Sequence, residues 1–190
     1  YGLYPGNVIS AKNTPQLIDA CKAVLEQRGD GGTGFSRAWK MALWARMYDG
    51  KRAARIFEGY IDEQSYPQLF AKCFTPLQID GTQGVGAGIT EMLIQSHEGV
   101  IHLLPALPDE WSTGDFNGVC ARGGFELDMA WNNGEITQIR ILSKHGQSCR
   151  INPGGKFRVE KDGRRIRSKS YEDGSIAFDT EAGGVYTLLK

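Results

Sequence analysis

The chain has 190 residues, 41% of them hydrophobic, and a formal net charge of zero from 22 basic and 22 acidic side chains. That balance excludes a broad electrostatic footprint for nucleic acid or for an anionic membrane surface. No apolar run approaches the roughly 18 residues of a membrane span, and the length suits one domain or two small ones.

The chain opens on Tyr1-Gly-Leu-Tyr-Pro-Gly6, which has no basic n-region, no apolar h-region and no initiator Met. It therefore reads as a piece of a longer protein. Residues 14 to 97 then read mostly as helix. Thr14 is placed as an N-cap and Pro15 as the first helical residue. Leu17, Ile18, Cys21, Val24 and Leu25 follow at helical spacing. Gly29 to Gly34 form a loop. A second helix carries Phe35, Ala38, Trp39, Ala42, Leu43 and Met47 along one stripe until Asp49-Gly50 breaks it. Ala53, Ile56, Phe57, Tyr60 and Ile61 mark a third helix, and short connections predict antiparallel neighbours. Pro76 to Gly84 read as a glycine-dense turn bearing Asp80, and a fourth helix starts near Gly86 and runs to about Ser96.

After Gly99 the period changes. Phe125, Leu127, Met129 and Trp131 alternate with Glu126, Asp128 and Ala130, which is the pattern of a half-buried strand. Asn133-Gly134 supplies hairpin chemistry, with Thr137, Ile139 and Ile141 alternating beyond it. Phe157 and Val159 precede a second hairpin signal, Asp162-Gly163. Ile176 with Phe178, and Val185 to Leu189, read as further short strands. Helices followed by antiparallel strands make an α+β chain. The expected division is residues 1–98 and residues 99–190, although His102 to Pro108 could pack back on the helices.

Several motifs in one order carry a family resemblance. They are Leu3-Tyr-Pro-Gly6, Gly34-Phe-Ser-Arg-Ala-Trp-Lys40, and Gln78-Ile-Asp-Gly81 leading through glycines to Ala87-Gly-Ile-Thr-Glu-Met-Leu93. Ile94-Gln-Ser-His97, His102-Leu-Leu-Pro-Ala-Leu-Pro108 and Ala121-Arg-Gly-Gly-Phe125 continue the series. Over roughly residues 1 to 150 the chain resembles glycoside hydrolase family 95, the inverting α-L-fucosidases. The resemblance implies that residues 1–98 are closing helices of an (α/α)6 catalytic barrel and that residues 99–190 are an antiparallel β-sandwich. It also implies a partner, the N-terminal remainder of the same enzyme.

The resemblance further implies an acid–base pair in which a Glu is the acid and an Asn amide is the base. A nearby Asp makes that amide basic enough. The Asp matches Asp80, while the Glu and the Asn match no position in this sequence. Hydrogen bonding to a carboxylate offsets the charge that develops as the amide accepts a proton. One departure stands out. Where the family carries a His six residues before this Asp, this sequence has Phe74, followed by Thr75. Phe74 and Thr75 are therefore candidate substrate-binding residues. The lost His opens the choice between L-fucose and L-galactose, because an apolar pocket rejects an added hydroxyl only weakly.

Other positions have plainer readings. Glu91 reads as a first-turn carboxylate favoured by the helix dipole, and Trp39 as a core residue. The four cysteines are widely separated and read as buried apolar side chains. They do not fix the compartment, which would be periplasmic or secreted if the longer protein carries a signal peptide. His97, His102 and His145 lack close carboxylate or Cys partners in sequence, and Gly84-x-Gly86-x-Gly88 fails the dinucleotide spacing. Neither metal nor cofactor is expected. Arg122 and the Lys161 to Lys169 cluster read as a solvated face. The leading expectation is part of an inverting exo-glycosidase acting on terminal α-L-fucosyl or α-L-galactosyl residues of oligosaccharides. The competing one is a non-catalytic carbohydrate-binding or structural β-sandwich module with attached helices.

Overall fold

A computed structural model describes residues 1–190. The backbone divides into two compact units, Tyr1–Leu93 with Leu104–Pro108, and Ile94–Leu103 with Asp109–Lys190.

The helical unit contains α1 (Ile18–Arg28), α2 (Gly34–Arg46), α3 (Gly50–Gln64) and α4 (Ile79–Leu93). Pro15–Leu17 form a short 3₁₀ turn ahead of α1. Thr14 does not cap it. Its hydroxyl instead turns back to Ser10, accepting from the Ser10 N–H (2.8 Å) and donating to the Ser10 carbonyl (3.2 Å). Of the five apolar residues expected on one face of α1, only Ile18 and Leu25 are buried, while Leu17 and Val24 are exposed. In α2 the core stripe is Ala38, Met41, Ala42 and Ala45 rather than the one drawn through Phe35 and Trp39. Phe35 is exposed and Trp39 only half-buried, its indole N–H donating to the Tyr4 carbonyl (3.0 Å). Asp49 caps α3 as a break residue should, accepting from the Arg52 N–H (2.9 Å).

The largest departure is α4. It begins at Ile79, not near Gly86, so Gly81, Gly84, Gly86 and Gly88 are all helical. Their use there is close approach. A Cβ on Gly81 would stand 2.7 Å from the Ala71 Cβ and 2.8 Å from the Phe35 nitrogen. One on Gly84 would meet the Ala38 Cβ at 3.0 Å, and one on Gly88 the Met41 sulfur at 3.0 Å. Residues 81, 84 and 88 share one helical face, and that face lies flat on α2. Ala38, Tyr60, Ala71 and Val85 form the cluster that α2, α3 and α4 enclose, with Phe57, Ile61 and Ile89 packed against it. Leu104–Pro108 return to these helices, where the sequence placed the division near residue 98. The Leu104 and Ala106 N–H groups donate to the Leu93 and Met92 carbonyls at 2.8 and 3.1 Å.

The second unit is two sheets. One has the order β1 (Ile94–Gln95), β2 (Ile101–Leu103), β6 (Cys149–Asn152), β10 (Ile176–Phe178), β9 (Lys169–Ser170). The other has β3 (Gly114–Ala121), β4 (Phe125–Asn132), β5 (Glu135–Ser143), β11 (Val185–Leu189), β7 (Arg158–Lys161), β8 (Arg164–Arg165). All pairings are antiparallel except β2 with β6. Phe125, Leu127, Met129 and Trp131 are buried as their alternation predicts. Asn133 and Gly134 have φ of 51° and 72°, the left-handed pair of a two-residue hairpin, and Asp162 and Gly163 repeat it. A register shift opposite Ala130 and Trp131 puts Ile136 inside and Thr137 outside, which the simple alternation through Thr137 missed. Cys149, Ile151, Ile176 and Phe178 of the first sheet and Ile139, Ile141, Tyr186 and Leu188 of the second are buried, and Phe178 meets Tyr186 with ring centroids 5.4 Å apart. Only one of the four cysteines, Cys149, is buried, and burial pushes its thiol up to about 12. Cys21 and Cys73 are half-buried and Cys120 is exposed.

Candidate active site around Asp80

The segment from Ser65 to Gln78 delivers the chain into α4, and it is tied down at both ends. Ser65 bridges Ala71 and Lys72 bridges Leu77. The Ala71 N–H donates to the Thr82 hydroxyl (2.8 Å), and the Gln78 N–H donates to the Ala71 carbonyl (2.8 Å). The Gln78 side chain reaches across to the start of α2, where its Oε1 accepts from the Phe35 N–H (3.0 Å). The buried Tyr60 hydroxyl donates to the Leu69 carbonyl (3.1 Å), and burial raises its pKa above the usual phenol value. The loop that enters α4 is therefore fixed by hydrogen bonds to α2, to α3 and to the first turn of α4.

Asp80 stands in that first turn and is exposed. Its Oδ1 accepts from the Gly81 N–H (2.9 Å), which leaves Oδ2 available. The residues that share its side of α4 are Gln83, Gly86, Ala87 and Thr90. All are neutral and none is bulky. Asp80 and Glu91 are the only charged residues of the helix. A solvated helix face ordinarily carries several lysines and glutamates; this one carries a single placed carboxylate.

Phe74 and Thr75 lie in the preceding loop. Phe74 is 83% exposed and has a φ of 57°, a left-handed conformation costly for an aromatic residue. Thr75 is exposed, and its carbonyl accepts from the Tyr66 hydroxyl. No hydrogen bond joins either side chain to Asp80. Around them Leu69, Phe70, Leu77 and Ile79 are also exposed, so the carboxylate is bordered by an apolar rim. The sequence reading singled out Phe74 and Thr75 but not this rim. Its signal was the apolar run on both sides of Pro76, which a single period does not assign to a face.

Glu91 is not a first-turn carboxylate. It lies in the last turn of α4 and forms an ion pair with Arg46, whose side chain is 1% exposed. Arg46 Nη2 donates to Glu91 Oε1 (3.0 Å), and Nη1 donates to the carbonyls of Leu3 and Gly6 (3.3 and 3.2 Å). One guanidinium thus joins α2, α4 and the N-terminal turn. Elsewhere in the helical unit Lys40 donates to the Gly31 carbonyl (2.6 Å), and burial, with Arg28 nearby, holds its pKa below the usual lysine value. His97 lies 4.0 Å from Glu98, and no three His, Cys, Asp or Glu side chains gather in a set that would hold a metal.

Residues 1–93 match the family model described as the glycosyl hydrolase family 95 catalytic domain, and residues 95–188 match that of the glycoside hydrolase family 95 C-terminal domain. The chain is 37% identical over 190 residues to alpha-L-fucosidase 2 of Arabidopsis thaliana, an alignment covering 88% of this chain and 22% of that protein. It is 26% identical over 157 residues to probable alpha-fucosidase A of Aspergillus niger, covering 72% of this chain and 20% of the relative. With probable alpha-fucosidase A of Aspergillus oryzae the identity is 29% over 178 residues, covering 76% and 25%. The chain spans about a fifth to a quarter of the length of these curated relatives. Two adjoining matches to one family cover nearly every residue, and the chain belongs to glycoside hydrolase family 95.

Proposed function

We propose that this chain is part of an inverting exo-glycosidase that removes terminal α-L-fucosyl residues from oligosaccharides, and that Asp80 is its share of the catalytic machinery. The observation that carries the reading is the lone carboxylate on an otherwise small and neutral helix face. Family membership and the named relatives support the reaction class. In this reading α1 to α4 are closing helices of an (α/α)6 barrel, the two sheets are its C-terminal β-sandwich, and the exposed apolar rim is covered by the remainder of the same enzyme.

Inversion needs an acid that protonates the leaving oxygen and a base that activates water on the opposite face, roughly 6.5–9.5 Å apart. The family resemblance assigns the acid to a Glu and the base to an Asn amide, neither matched in residues 1–190. Asp80 then accepts a hydrogen bond from that amide through Oδ2. As water loses its proton to the amide oxygen, positive charge builds on the amide, and the adjacent carboxylate stabilises it. The Oδ1 contact to Gly81 holds the carboxylate in place for this.

Phe74 stands where the family has a His, and an exposed aromatic on a tied loop is placed to form one wall of the sugar site. Without the imidazole, and with Thr75 beside it, the pocket discriminates weakly against a hydroxyl at C6. The test compares aryl α-L-fucoside with aryl α-L-galactoside on the intact enzyme. A ratio of kcat/KM within about tenfold is expected, which corresponds to one net hydrogen bond of roughly 0.5–1.5 kcal/mol. A preference for fucoside above roughly a thousandfold, about 4 kcal/mol, would show that Phe74 and Thr75 do not shape the site. Absence of turnover on both sugars would remove the fucosidase reading itself.

A further inference from the structure

The segment from Lys156 to Lys169 carries seven basic side chains and two acidic ones, in a chain whose net charge is zero. The structure shows where they go. β8 is the outer strand of the six-stranded sheet and β9 the outer strand of the five-stranded one, so the link Ile166–Ser168 crosses from one sheet edge to the other. At that crossing lies a groove of about 610 Å³. Arg167, Lys169 and Lys161 line it together with Asp179, Glu181, Ser148 and Ser168. Within the cluster, Arg158 is paired with Glu160 and Lys161 with Glu181. Arg164, Arg165 and Arg167 are exposed and have no ion pair or side-chain hydrogen bond within the protein. Charge on an outer strand also blocks unwanted pairing. That accounts for Arg164 and Arg165 on β8, but not for the unpaired Arg167 beyond the strand, which lines the groove.

We propose that this groove binds an acidic glycan, a chain of uronate residues, at a site separate from the one around Asp80. Arg167 and Lys169 in the groove, with Arg165 in the adjoining hollow that Arg167 also lines, would take the carboxylates through charge-assisted hydrogen bonds. Asp179, Ser148 and Ser168 would accept from sugar hydroxyls. The same features disfavour nucleic acid. The ring at the groove, Tyr171, is half-buried and already carries two cations, Arg150 4.0 Å and Lys169 4.9 Å from its centroid, which makes it a poor platform for base stacking. The choice of a glycan rests on the glycosidase reading above, while the preference for an anion rests on the groove alone.

The experiment uses the intact enzyme and three probes of equal length: an oligogalacturonide, a neutral cello-oligosaccharide and an oligothymidylate. Binding is measured by calorimetry at low and high salt, beside turnover of an aryl α-L-fucoside. The oligogalacturonide should bind most tightly and weaken with salt. The triple variant Arg165→Ala, Arg167→Ala, Lys169→Ala should bind it roughly tenfold more weakly, as loss of three exposed pairs implies, with unchanged fucoside turnover and melting temperature. Asp179→Ala should weaken the oligogalacturonide and not the oligothymidylate. No oligogalacturonide binding, equal binding by the triple variant, or oligothymidylate bound as tightly would overturn the proposal. An enzyme that binds the oligogalacturonide but leaves the fucoside intact would support the groove and count against the fucosidase reading.

Discussion

The two units treat their apolar side chains differently. Eleven large hydrophobic residues are exposed, and every one lies between Tyr1 and Ile79. None lies in the sheets, where the longer strands turn apolar side chains inward and charged ones outward. The sheet unit therefore closes its own core. The helical unit encloses a small one, centred on Ala38, Tyr60, Ala71 and Val85, and leaves Leu69, Phe70, Phe74, Leu77 and Ile79 uncovered beside Asp80. Patches of that kind mark interaction or ligand surfaces. The difference teaches that the sheet unit closes its own core, whereas the unit with the candidate catalytic residue leaves the apolar surface that the proposed reading gives to the remainder of the enzyme.

The strongest way to break this comparison is to cut the chain after α4, which leaves only Leu104–Pro108 of the helical unit with the sheets. Residues 94–190 alone should unfold in one cooperative transition, and residues 1–93 alone should bind a hydrophobic dye and self-associate. A helical piece that stays monomeric and dye-free would show that its apolar rim needs no cover. Next in size is the ion pair that ties α4 to α2. Glu91→Gln leaves Arg46 buried without its counter-charge, and about 3–5 kcal/mol of stability should be lost, read by denaturant unfolding of the intact enzyme. A loss under about 1 kcal/mol would mean that the pair is not a structural tie.

Glycine substitutions along α4 sharpen the contrast within a single helix. Gly81→Ala should cost about 1–3 kcal/mol through overpacking against Ala71 and the α2 backbone. Gly86→Ala meets nothing within 4 Å and should stabilise by about 0.5–1 kcal/mol through helix propensity. Equal effects at the two positions would contradict the flat packing of α4 on α2.

Those glycines also mark where the sequence was hardest to read. Dense glycine predicts a turn, so the sequence points to a loop where the structure has the first two turns of α4. A helix uses the same residue to approach another closely, and only the neighbour distinguishes the two. α3 was legible because Asp49-Gly50 and the spacing of Ala53, Ile56 and Tyr60 agree. The β4–β5 hairpin was legible from alternation and Asn133-Gly134 together, but its bulge was not, since one inserted residue leaves no compositional mark. Asp80 stood out through its motif. Its neutral surroundings follow from the start of the helix at Ile79, which brings Gln83, Gly86 and Thr90 onto the same side. Leu17 and Val24 look like core at helical spacing, yet a face can be apolar without being covered in this chain.

The smallest expected effect lies in the sheets. Asp128 accepts from the Gly118 N–H (2.9 Å) and from Arg140 Nη1 (2.8 Å), and these hydrogen bonds hold its pKa below the usual carboxylate value. A carboxylate with a lowered folded-state pKa stabilises above its unfolded value and loses that contribution as pH falls through the folded one. Asp128→Asn should therefore cost a few tenths to about 1 kcal/mol at pH 7, and the cost should shrink as pH falls below the usual carboxylate range. A deficit that persists in acid would assign the effect to shape rather than charge.

The central claim is that Asp80 acts through its charge, and Asp80→Asn in the intact enzyme tests it most directly. Asn preserves the contact to the Gly81 N–H and removes only the charge, so stability should change by no more than about 1 kcal/mol, the scale of a first-turn acid. Turnover of an aryl α-L-fucoside should fall by roughly a hundredfold or more, mainly in kcat, because the charge matters as water is deprotonated. A folded variant that keeps near wild-type kcat would contradict the account and return Asp80 to an ordinary helix-start residue.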